Sequence, residues 1–265
     1  MNIPRPANHF VIRPEKRSIL ADIIVEHGPI DVLGRFFLHA ELETRKRGVA
    51  LELCGPDDLV AANAENRASW KPLVPMFNPK YGIISRENSF SIAGRNAHGE
   101  IVTANSIIKY DWESISFVEA ATSLRLFYSD PERMRQPGER CIVTSTRARC
   151  IRGSVAFSGS AWVRHDYRGL GLSAFLPRFI KAYAAARWPL DCIFGMMAEA
   201  VQERGFATRF GYNNIDWEAH WVNSVMGTNR MAILWTDVDF LAADLRAQLD
   251  RAPQVDGGVL KRNAQ

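Results

Sequence analysis

The sequence lacks the cysteine spacing of a disulfide framework or a zinc site. It holds four cysteines among 265 residues, and no two of them form a CxxC pair. They are Cys54, Cys141, Cys150 and Cys192. Isolated cysteines of this kind fit a reducing compartment, where disulfides do not persist. We therefore expect a cytoplasmic protein with neither a disulfide framework nor a bound metal.

The sequence also lacks long apolar runs and a stripe of basic residues. No run approaches the ~20 apolar residues that span a bilayer. The first 17 residues, MNIPRPANHFVIRPEKR, show no continuous apolar segment of a secretion signal. Lysine and arginine number 33 against 29 aspartates and glutamates, and the two signs are interspersed. A nucleic-acid backbone needs clustered cations, and a bilayer needs a long apolar segment. We therefore expect no nucleic acid and no membrane among the partners.

The pattern of apolar residues predicts three parts of the chain. Residues 1–48 form an N-terminal extension with one helix, IDVLGRFFLHAELETRKRG. Residues 49–250 form the main domain, and residues 251–265 form a polar tail. Apolar residues make up 47% of the chain, which is enough for one large core.

Strands and helices are interspersed within the main domain. Turn residues and runs of strand-forming residues predict strands in VALELCG, on both sides of NAHGE, in RCIVTSTRARC, GSVAFSGSAWV and DCIFGMM, and in a hairpin within WVNSVMGTNRMAILW. Helical periodicity predicts helices in PDDLVAANAENRASW, LSAFLPRFIKAYAA, EAVQERGFATRFG and DVDFLAADLRAQLD. A turn near Arg152 separates the strands in RCIVTSTRARC and GSVAFSGSAWV. The pattern of residues 112–140 is ambiguous, and a helix is one interpretation of it. This order predicts an α/β (α+β) fold class.

A glycine-rich turn opens the most one-sided helix, in the stretch WVRHDYRGLGLSAF. Unpaired N–H groups and partial positive charge at a helix N-terminus favour an anion there. Gly169, Gly171 and Ala174 match G-x-G-x-x-A, and Asp191 follows about 20 residues later, as in a dinucleotide-binding Rossmann fold. The context opposes that interpretation, because RHDYR separates the strand from the glycines and Asp191 precedes the next strand. No G-K-[ST] follows for a P-loop, and a helix start without a ligand stays an alternative.

The same stretch resembles the acyl-CoA-binding motif of the GNAT acyltransferase superfamily. Arg168 to Ser173 fit R-x-x-G-x-[GA] except that Ser173 replaces Gly or Ala, and His165 stands where proline is common. A hairpin, a strand, the motif, a one-faced helix, a short strand and a helix ending in RFGY follow the superfamily's order over residues 50–235. The resemblance implies a mixed, mostly antiparallel twisted sheet flanked by helices. It also implies acetyl-CoA or another acyl-CoA as co-substrate, without a metal.

The resemblance further implies which residues hold the coenzyme. Main-chain N–H groups of the glycine turn and the Arg168 guanidinium bind the pyrophosphate. The end of the preceding strand pairs with the pantetheine arm as an added strand would. The residues concerned are Ala161, Trp162, Val163, Arg168, Gly169, Leu170, Gly171, Leu172 and Ser173.

Catalytic groups are less evident in the sequence. Many superfamily members carry a tyrosine four residues before the last Gly-aromatic pair, and Ala207 occupies that place here. Glu199 and Glu113 are the carboxylates near predicted strand ends, although each also fits an ordinary surface carboxylate. The segment DWEAH, residues 216–220, combines Asp, Glu and His, but without a second cluster we expect an exposed segment rather than a metal site.

The resemblance implies an N-acyltransferase that moves acetyl from acetyl-CoA to an amine by direct attack in a ternary complex. The acceptor is a small-molecule amine or a protein amino group, and a homodimer is one expected assembly. Asn63, Asn66, Arg67 and Trp70 lie where superfamily members build the acceptor pocket, and helix capping or core packing explains them nearly as well. Two alternatives stay open: a degenerate GNAT domain that binds acyl-CoA or a protein partner without turnover, and a Rossmann-type NAD(P) protein.

Overall fold

A single eight-stranded sheet organises the computed structural model, which describes residues 17–251. The strands are β1 (Ala50–Cys54), β2 (Ser89–Arg95), β3 (Ile101–Ser116), β4 (Arg140–Val143), β5 (Arg152–Val163), β6 (Cys192–Ala198), β7 (Asn214–Ser224) and β8 (Gly227–Asp237). Their order across the sheet is β1-β2-β3-β5-β6-β8-β7-β4. Each neighbouring pair is antiparallel except β5 with β6. The expected mixed, mostly antiparallel sheet is confirmed, and a Rossmann-type parallel sheet is excluded.

Helices cover the two faces of this sheet. They are α1 (Ile30–Lys46), α2 (Pro56–Glu65), α3 (Phe117–Thr122), α4 (Pro131–Met134), α5 (Leu172–Arg187), α6 (Glu199–Gln202), α7 (Phe206–Arg209) and α8 (Val238–Arg251). One core cluster joins α1, α5 and α8 to the sheet, and a second joins α2, α3 and the connector after α2 to the other face. The predicted N-terminal helix is present as α1. The rest of the predicted termini, residues 1–16 and 252–265, lies outside the described residues.

None of the helices between residues 17 and 251 has the length and apolar character needed to cross a membrane.

Helix α1 packs directly on α5, the helix that follows the glycine turn. Its one-sided apolar pattern buries Leu33, Phe36 and Phe37, and the rings of Phe37 and Phe179 lie 5.0 Å apart. Burial of each such phenylalanine contributes about 1.5–3 kcal/mol. The extension therefore shares a core with the main domain and fixes the position of α5.

The connection from β4 to β5 differs from the sequence-based expectation. The stretch RCIVTSTRARC does not continue as a strand beyond Val143, and β4 pairs with β7 at the sheet edge rather than lying beside β5. The Ser145 hydroxyl accepts a hydrogen bond from the Ala148 N–H at 2.9 Å and donates to Asp216 at 2.6 Å. This side chain starts a 3-10 turn, which is why the strand ends and the chain crosses to the middle of the sheet.

Two further expectations need correction. The helix predicted in EAVQERGFATRFG is divided into α6 and α7, because Gly205 adopts a positive φ of 72°. Helix α2 ends at Glu65, so the following residues of its predicted span form a turn. The segment 216–220 lies within β7, where Glu218 and His220 are exposed and Glu218 accepts a hydrogen bond from the Thr144 hydroxyl.

Candidate functional site

A cleft opens where β5 and β6 separate. The parallel pairing covers Val155 to Phe157 on β5, and its last pair joins Phe157 to Phe194. Beyond it, β5 stays with β3 and β6 stays with β8. A bulge accompanies the separation, because the β3–β5 register shifts next to Ser160, a non-glycine residue with a φ of +52°. The edge of β5 that faces the cleft is thus free of a neighbouring strand after Phe157.

The cleft has a volume of about 540 Å³ and collects most of the residues predicted to hold the coenzyme. Those that line it are Ala161, Trp162, Val163, Arg168, Gly169, Gly171, Leu172 and Ser173. Leu170 is the exception, because its side chain is 41% exposed and its carbonyl is turned toward α1. The structure therefore brings the strand end and the glycine turn, which are adjacent in sequence, together as two sides of one cleft.

The glycine turn presents a row of main-chain donors. Gly169 and Gly171 have φ values of +83° and +77°, which L side chains rarely adopt. In the part of the chain that the structure describes, the N–H groups of residues 169–173 have no hydrogen-bond acceptor. The first N–H of the helix that donates is that of Ala174, to the Gly171 carbonyl. Consecutive N–H groups at a helix N-terminus form an anion-binding concavity. The turn is therefore suited to a phosphate or pyrophosphate.

Arg47, at the end of α1, holds this turn in place. Its Nε donates to the Leu170 carbonyl oxygen at 2.6 Å, while its guanidinium also pairs with Glu43 at 2.7 Å and lies over the Phe175 ring. In a trans peptide the carbonyl and the following N–H point in opposite directions. Binding the Leu170 carbonyl from one side therefore directs the Gly171 N–H to the other. Sequence reasoning missed Arg47, because nothing local connects it to a turn 123 residues later.

Arg168 lies beside the same row of donors. Its Nε donates to the Val163 carbonyl oxygen at 3.1 Å, which ties the guanidinium to the end of β5. Within residues 17–251 it forms no ion pair with a carboxylate. The guanidinium is exposed at the cleft and keeps donors for an anionic ligand.

The opposite wall of the cleft is formed by α7 and is anchored by two buried cations on α5. Lys181 is fully buried, and its Nζ donates to the carbonyl oxygens of Phe210 and Gly211 at 2.6 and 2.9 Å. Arg178 pairs with Asp244 at 2.6 Å and donates to the Arg209 carbonyl. These contacts satisfy carbonyls at the end of α7. In the sequence, these anchoring residues are indicated by two cationic side chains three positions apart on a largely apolar helix.

Burial lowers the pKa of Lys181 to about 7, with a smaller effect of the neighbouring Arg178 charge. The folded chain loses this proton near pH 7, whereas the unfolded chain keeps it up to about pH 10.4. Between these values the unfolded state binds more protons, so the free energy of unfolding rises with pH.

We therefore expect the free energy of unfolding, measured by urea titration, to increase between pH 7 and pH 9 in the wild type relative to Lys181→Met. The slope of this difference approaches about 1.4 kcal/mol per pH unit. Equal pH dependence of the two proteins would contradict the assignment of this proton to Lys181.

Tyr212 lies beside the point where β5 and β6 separate. A Cβ on Gly195 of β6 would lie 3.0 Å from the Tyr212 Oη and 3.0 Å from the Ser158 carbonyl oxygen. Burial raises the pKa of Tyr212 well above its ordinary value. The ring also lies against the Lys181 Nζ at 3.9 Å. This tyrosine therefore packs in the core between the separating strands, as its position in the RFGY segment suggests.

The structure brings neither carboxylate candidate to the cleft. Glu199 forms an exposed ion pair with Arg230 at 2.8 Å. Glu113 is exposed near the far end of β3, nine residues beyond Ala104, which corresponds to about 30 Å along the strand. Ala207 is fully buried against other side chains. Among residues 17–251, no carboxylate and no histidine lines the cleft.

Metal binding finds no support in the described part of the chain. No group of three or more His, Cys, Asp or Glu side chains there is arranged to hold a metal ion. In the DWEAH segment, Asp216 accepts from Ser145 and Glu218 accepts from Thr144, so both carboxylates hold strand ends together. The four cysteines are free.

Another wall of the cleft is a braced segment, residues 69–74. Trp70 stacks on Trp162 of β5 with ring centroids 4.6 Å apart, and the Trp162 indole donates to the Ser69 carbonyl at 3.2 Å. The Asn63 side chain donates to the Lys71 carbonyl at 2.9 Å. Asn66 donates to the Ala62 carbonyl and ends α2, so its role is local. The segment is held from both sides and forms a wall of the cleft.

Comparison with known proteins finds similar structures but no similar sequences. Neither a family sequence model nor a curated protein sequence matches the chain. Arabidopsis thaliana NAA60 in complex with acetyl-CoA is 9% identical, with 72% of this chain and 99% of that chain covered and a TM-score of 0.46. An aminoglycoside acetyltransferase in complex with coenzyme A and kanamycin is 13% identical, with 74% and 98% covered and a TM-score of 0.40. An N-acyl amino acid synthase from uncultured soil microbes is 12% identical, with 76% and 94% covered and a TM-score of 0.43.

The fold of the chain can be stated from its own geometry. The β2–β3 hairpin lies beside β5, β5 separates from its parallel neighbour β6, and the glycine turn opens α5, the helix that connects these two strands along the chain. By its strand order, the β5–β6 separation and the turn at Gly171, the chain has the fold of the GNAT acyltransferase superfamily.

Proposed function

We propose that this protein is an acyl-CoA-dependent N-acyltransferase of the GNAT superfamily that transfers acetyl from acetyl-CoA to an amine. The observation that carries the proposal is the row of five unpaired N–H groups at residues 169–173, placed at one end of a cleft beside the free edge of β5. Such a combination fits a long ligand with a pyrophosphate at one end and an amide-rich arm along the strand.

Each part of the cleft has a role in this reaction. The glycine turn and Arg168 bind the pyrophosphate, and main-chain groups of Ala161 to Val163 pair with the pantetheine arm. The thioester then lies toward the apex, where β5 and β6 separate. The acceptor amine enters past residues 69–74, so that both substrates meet in one cleft. Holding two reactants in this way supplies up to about 7–11 kcal/mol of the barrier reduction.

The chemistry follows from what lines the cleft. The neutral amine nitrogen attacks the thioester carbonyl carbon, the C–N bond forms, and the C–S bond breaks. A thiol has a pKa of about 8.5, so the sulfur leaves as a thiolate without a strong acid. The proton of the resulting ammonium passes to solvent, since no carboxylate or histidine among the described residues lines the cleft. Juxtaposition of the substrates, rather than general acid–base catalysis, accounts for the rate in this proposal.

Thermal unfolding with candidate ligands tests the proposal. We expect acetyl-CoA and CoA to stabilise the protein by about 2.7 kcal/mol when the ligand is present at 100 times its Kd. NADH and NADPH lack the acyl-pantetheine arm and serve as controls for adenine nucleotide binding. Absence of stabilisation by any CoA species would refute an acyl-CoA site.

A second candidate is an acyl-CoA-binding domain without turnover. The replacement of the superfamily tyrosine by Ala207, which is fully buried, favours it. Thiol release across a panel of amines separates the two functions, because only the enzyme liberates CoA in proportion to the amine consumed. Stabilisation by acetyl-CoA without thiol release from any amine supports the binding domain.

A further inference from the structure

A second recess lies on the other side of the segment that walls the cleft. It has a volume of about 410 Å³ and is lined by α2, by the connector after it and by the turn between β7 and β8. Lys71, Pro72 and Val74 line the cleft, whereas Pro72 and Leu73 line the recess. The two cavities are therefore separated by the thickness of one chain segment at Pro72.

The polar groups of the recess are cationic or neutral. Arg67 from α2 and Lys80 from the connector line it together with the amides of Asn63, Asn78 and Gln136. No aspartate or glutamate is among the described residues that line it. Neither Arg67 nor Lys80 forms an ion pair within residues 17–251. An anion entering the recess would thus meet two cations that have no carboxylate partner.

Both cations are held toward the recess by neighbouring side chains. The Arg67 Nη1 lies 3.4 Å from the Asn63 Oδ1. Asn63 is itself buried, and its side-chain amide donates to the Lys71 carbonyl. The Lys80 Nζ lies 4.7 Å from the ring centroid of Tyr81, which also lines the recess.

The nearby carboxylate of Glu139 does not face the recess. Glu139 is buried, and it accepts hydrogen bonds from the Gln136 N–H, the Tyr128 hydroxyl and the Trp221 indole. Its charge is therefore directed into the core and not into the recess.

We propose that this recess binds the carboxylate of the acceptor, so that the substrate is an amino carboxylate whose amine crosses Pro72 to the thioester. The inference rests on the proposed acyltransferase function and specifies its acceptor. The planar guanidinium of Arg67 suits a carboxylate, and the ammonium of Lys80 adds a second charge. Polyamines and other cationic acceptors are disfavoured, since they would meet like charge there.

Matched pairs of amines test the proposal. The panel contains the twenty amino acids, β-alanine, γ-aminobutyrate and 6-aminohexanoate, each compared with its carboxamide, together with spermidine and phosphoethanolamine. Rates are measured as thiol release from acetyl-CoA. We expect at least one acid to exceed its carboxamide by about tenfold or more in kcat/KM, because the carboxylate forms charge-assisted hydrogen bonds that the amide lacks.

Variants test whether Arg67 and Lys80 cause the preference for an acid over its carboxamide. In Arg67→Gln/Lys80→Gln, the ratio of acid to carboxamide should fall to within about threefold while the KM for acetyl-CoA stays unchanged. Arg133→Gln is the matched control, since its side chain is 86% exposed and lies outside the recess. Its ratio should equal that of the wild type. Both variants alter side chains at the surface, and stabilisation by CoA verifies that each is folded.

The outcomes distinguish this inference from the proposed function. If acetyl-CoA fails to stabilise the wild type, the acyltransferase proposal fails first. If acetyl-CoA binds but carboxamides or spermidine react as well as the acids, or the double variant keeps the preference, only the carboxylate site is overturned. Preference for phosphoethanolamine over every acid would replace the carboxylate with a phosphate. If no acid is acetylated, calorimetry of the same acids with the CoA-bound protein decides, and absence of binding also overturns the site.

Discussion

Replacement of Gly171 by aspartate is expected to weaken acyl-CoA binding by about 100-fold, the largest effect on ligand affinity predicted for this chain. Gly171 lies in the middle of the five unpaired N–H groups. A carboxylate there stands within several ångströms of the proposed pyrophosphate. Like charges about 5 Å apart repel by about 3 kcal/mol at an effective dielectric constant of 20. The Kd for acetyl-CoA, measured by calorimetry, tests this expectation.

Gly171→Asn is the matched control for the charge. Asparagine and aspartate are similar in size, and both tolerate the positive φ of +77° found at this position better than other side chains. A Cβ here would approach its nearest neighbour, the Arg47 Nε, to 3.9 Å, which is an ordinary contact. We expect the asparagine variant to retain affinity within about tenfold of the wild type. Equal losses in both variants would show that backbone strain, not repulsion of an anion, weakens binding.

Replacement of Arg178 by methionine is expected to lower the free energy of unfolding by about 3–5 kcal/mol, because it leaves a buried charge without its partner. Arg178 and Asp244 are 7% and 14% exposed and lie 2.6 Å apart. The guanidinium also donates to the carbonyls of Ala174 and Arg209. Urea denaturation measures the loss directly.

A double variant separates the ion pair from the packing. Arg178→Met/Asp244→Leu replaces both charges with apolar side chains, so no buried charge remains unpaired. We expect it to recover most of the stability lost in Arg178→Met. If the double variant is as unstable as Arg178→Met, the hydrogen bonds from Arg178 to the Ala174 and Arg209 carbonyls, and not the pair with Asp244, carry the effect.

The same pair connects stability to the candidate site. Arg178 and Lys181 anchor the end of α7, whose residues Phe206 and Arg209 line the cleft. The residues that hold this wall lie on α5, the helix that begins at the glycine turn. Movement of α5 would thus affect both sides of the cleft together.

Local patterns in the sequence were sufficient for several elements. The run from Leu172 to Arg187 forms a helix because apolar side chains recur every three to four residues, and the two glycines before it take the positive φ values that a tight turn requires. The strands β2 and β3 follow from two runs rich in strand-forming residues on either side of a short turn. These features depend on neighbours within a few positions, and the resemblance to the GNAT superfamily was carried by the same local features.

Other features could not be read locally. The end of β4 at Val143 depends on Ser145, whose hydroxyl binds Asp216 on a strand 71 residues away. The split between α6 and α7 depends on the conformation of Gly205 within a helical pattern. Proximity to a strand end did not identify a catalytic carboxylate. Glu113 lies near the end of β3 that is remote from the cleft. Glu199, although its neighbour Val201 lines the cleft, is paired with Arg230.

The sequence by itself determined the glycine turn, the amphipathic helix after it and the fold class, because each follows from backbone preferences and short-range periodicity. The tertiary structure alone decided what surrounds the turn. Contacts such as Arg47 with the Leu170 carbonyl and Lys181 with the end of α7 join residues 123 and 29–30 positions apart. The partition at Pro72 between the cleft and the cationic recess was decided in the same way, since it exists only once the connector packs between α2 and β5.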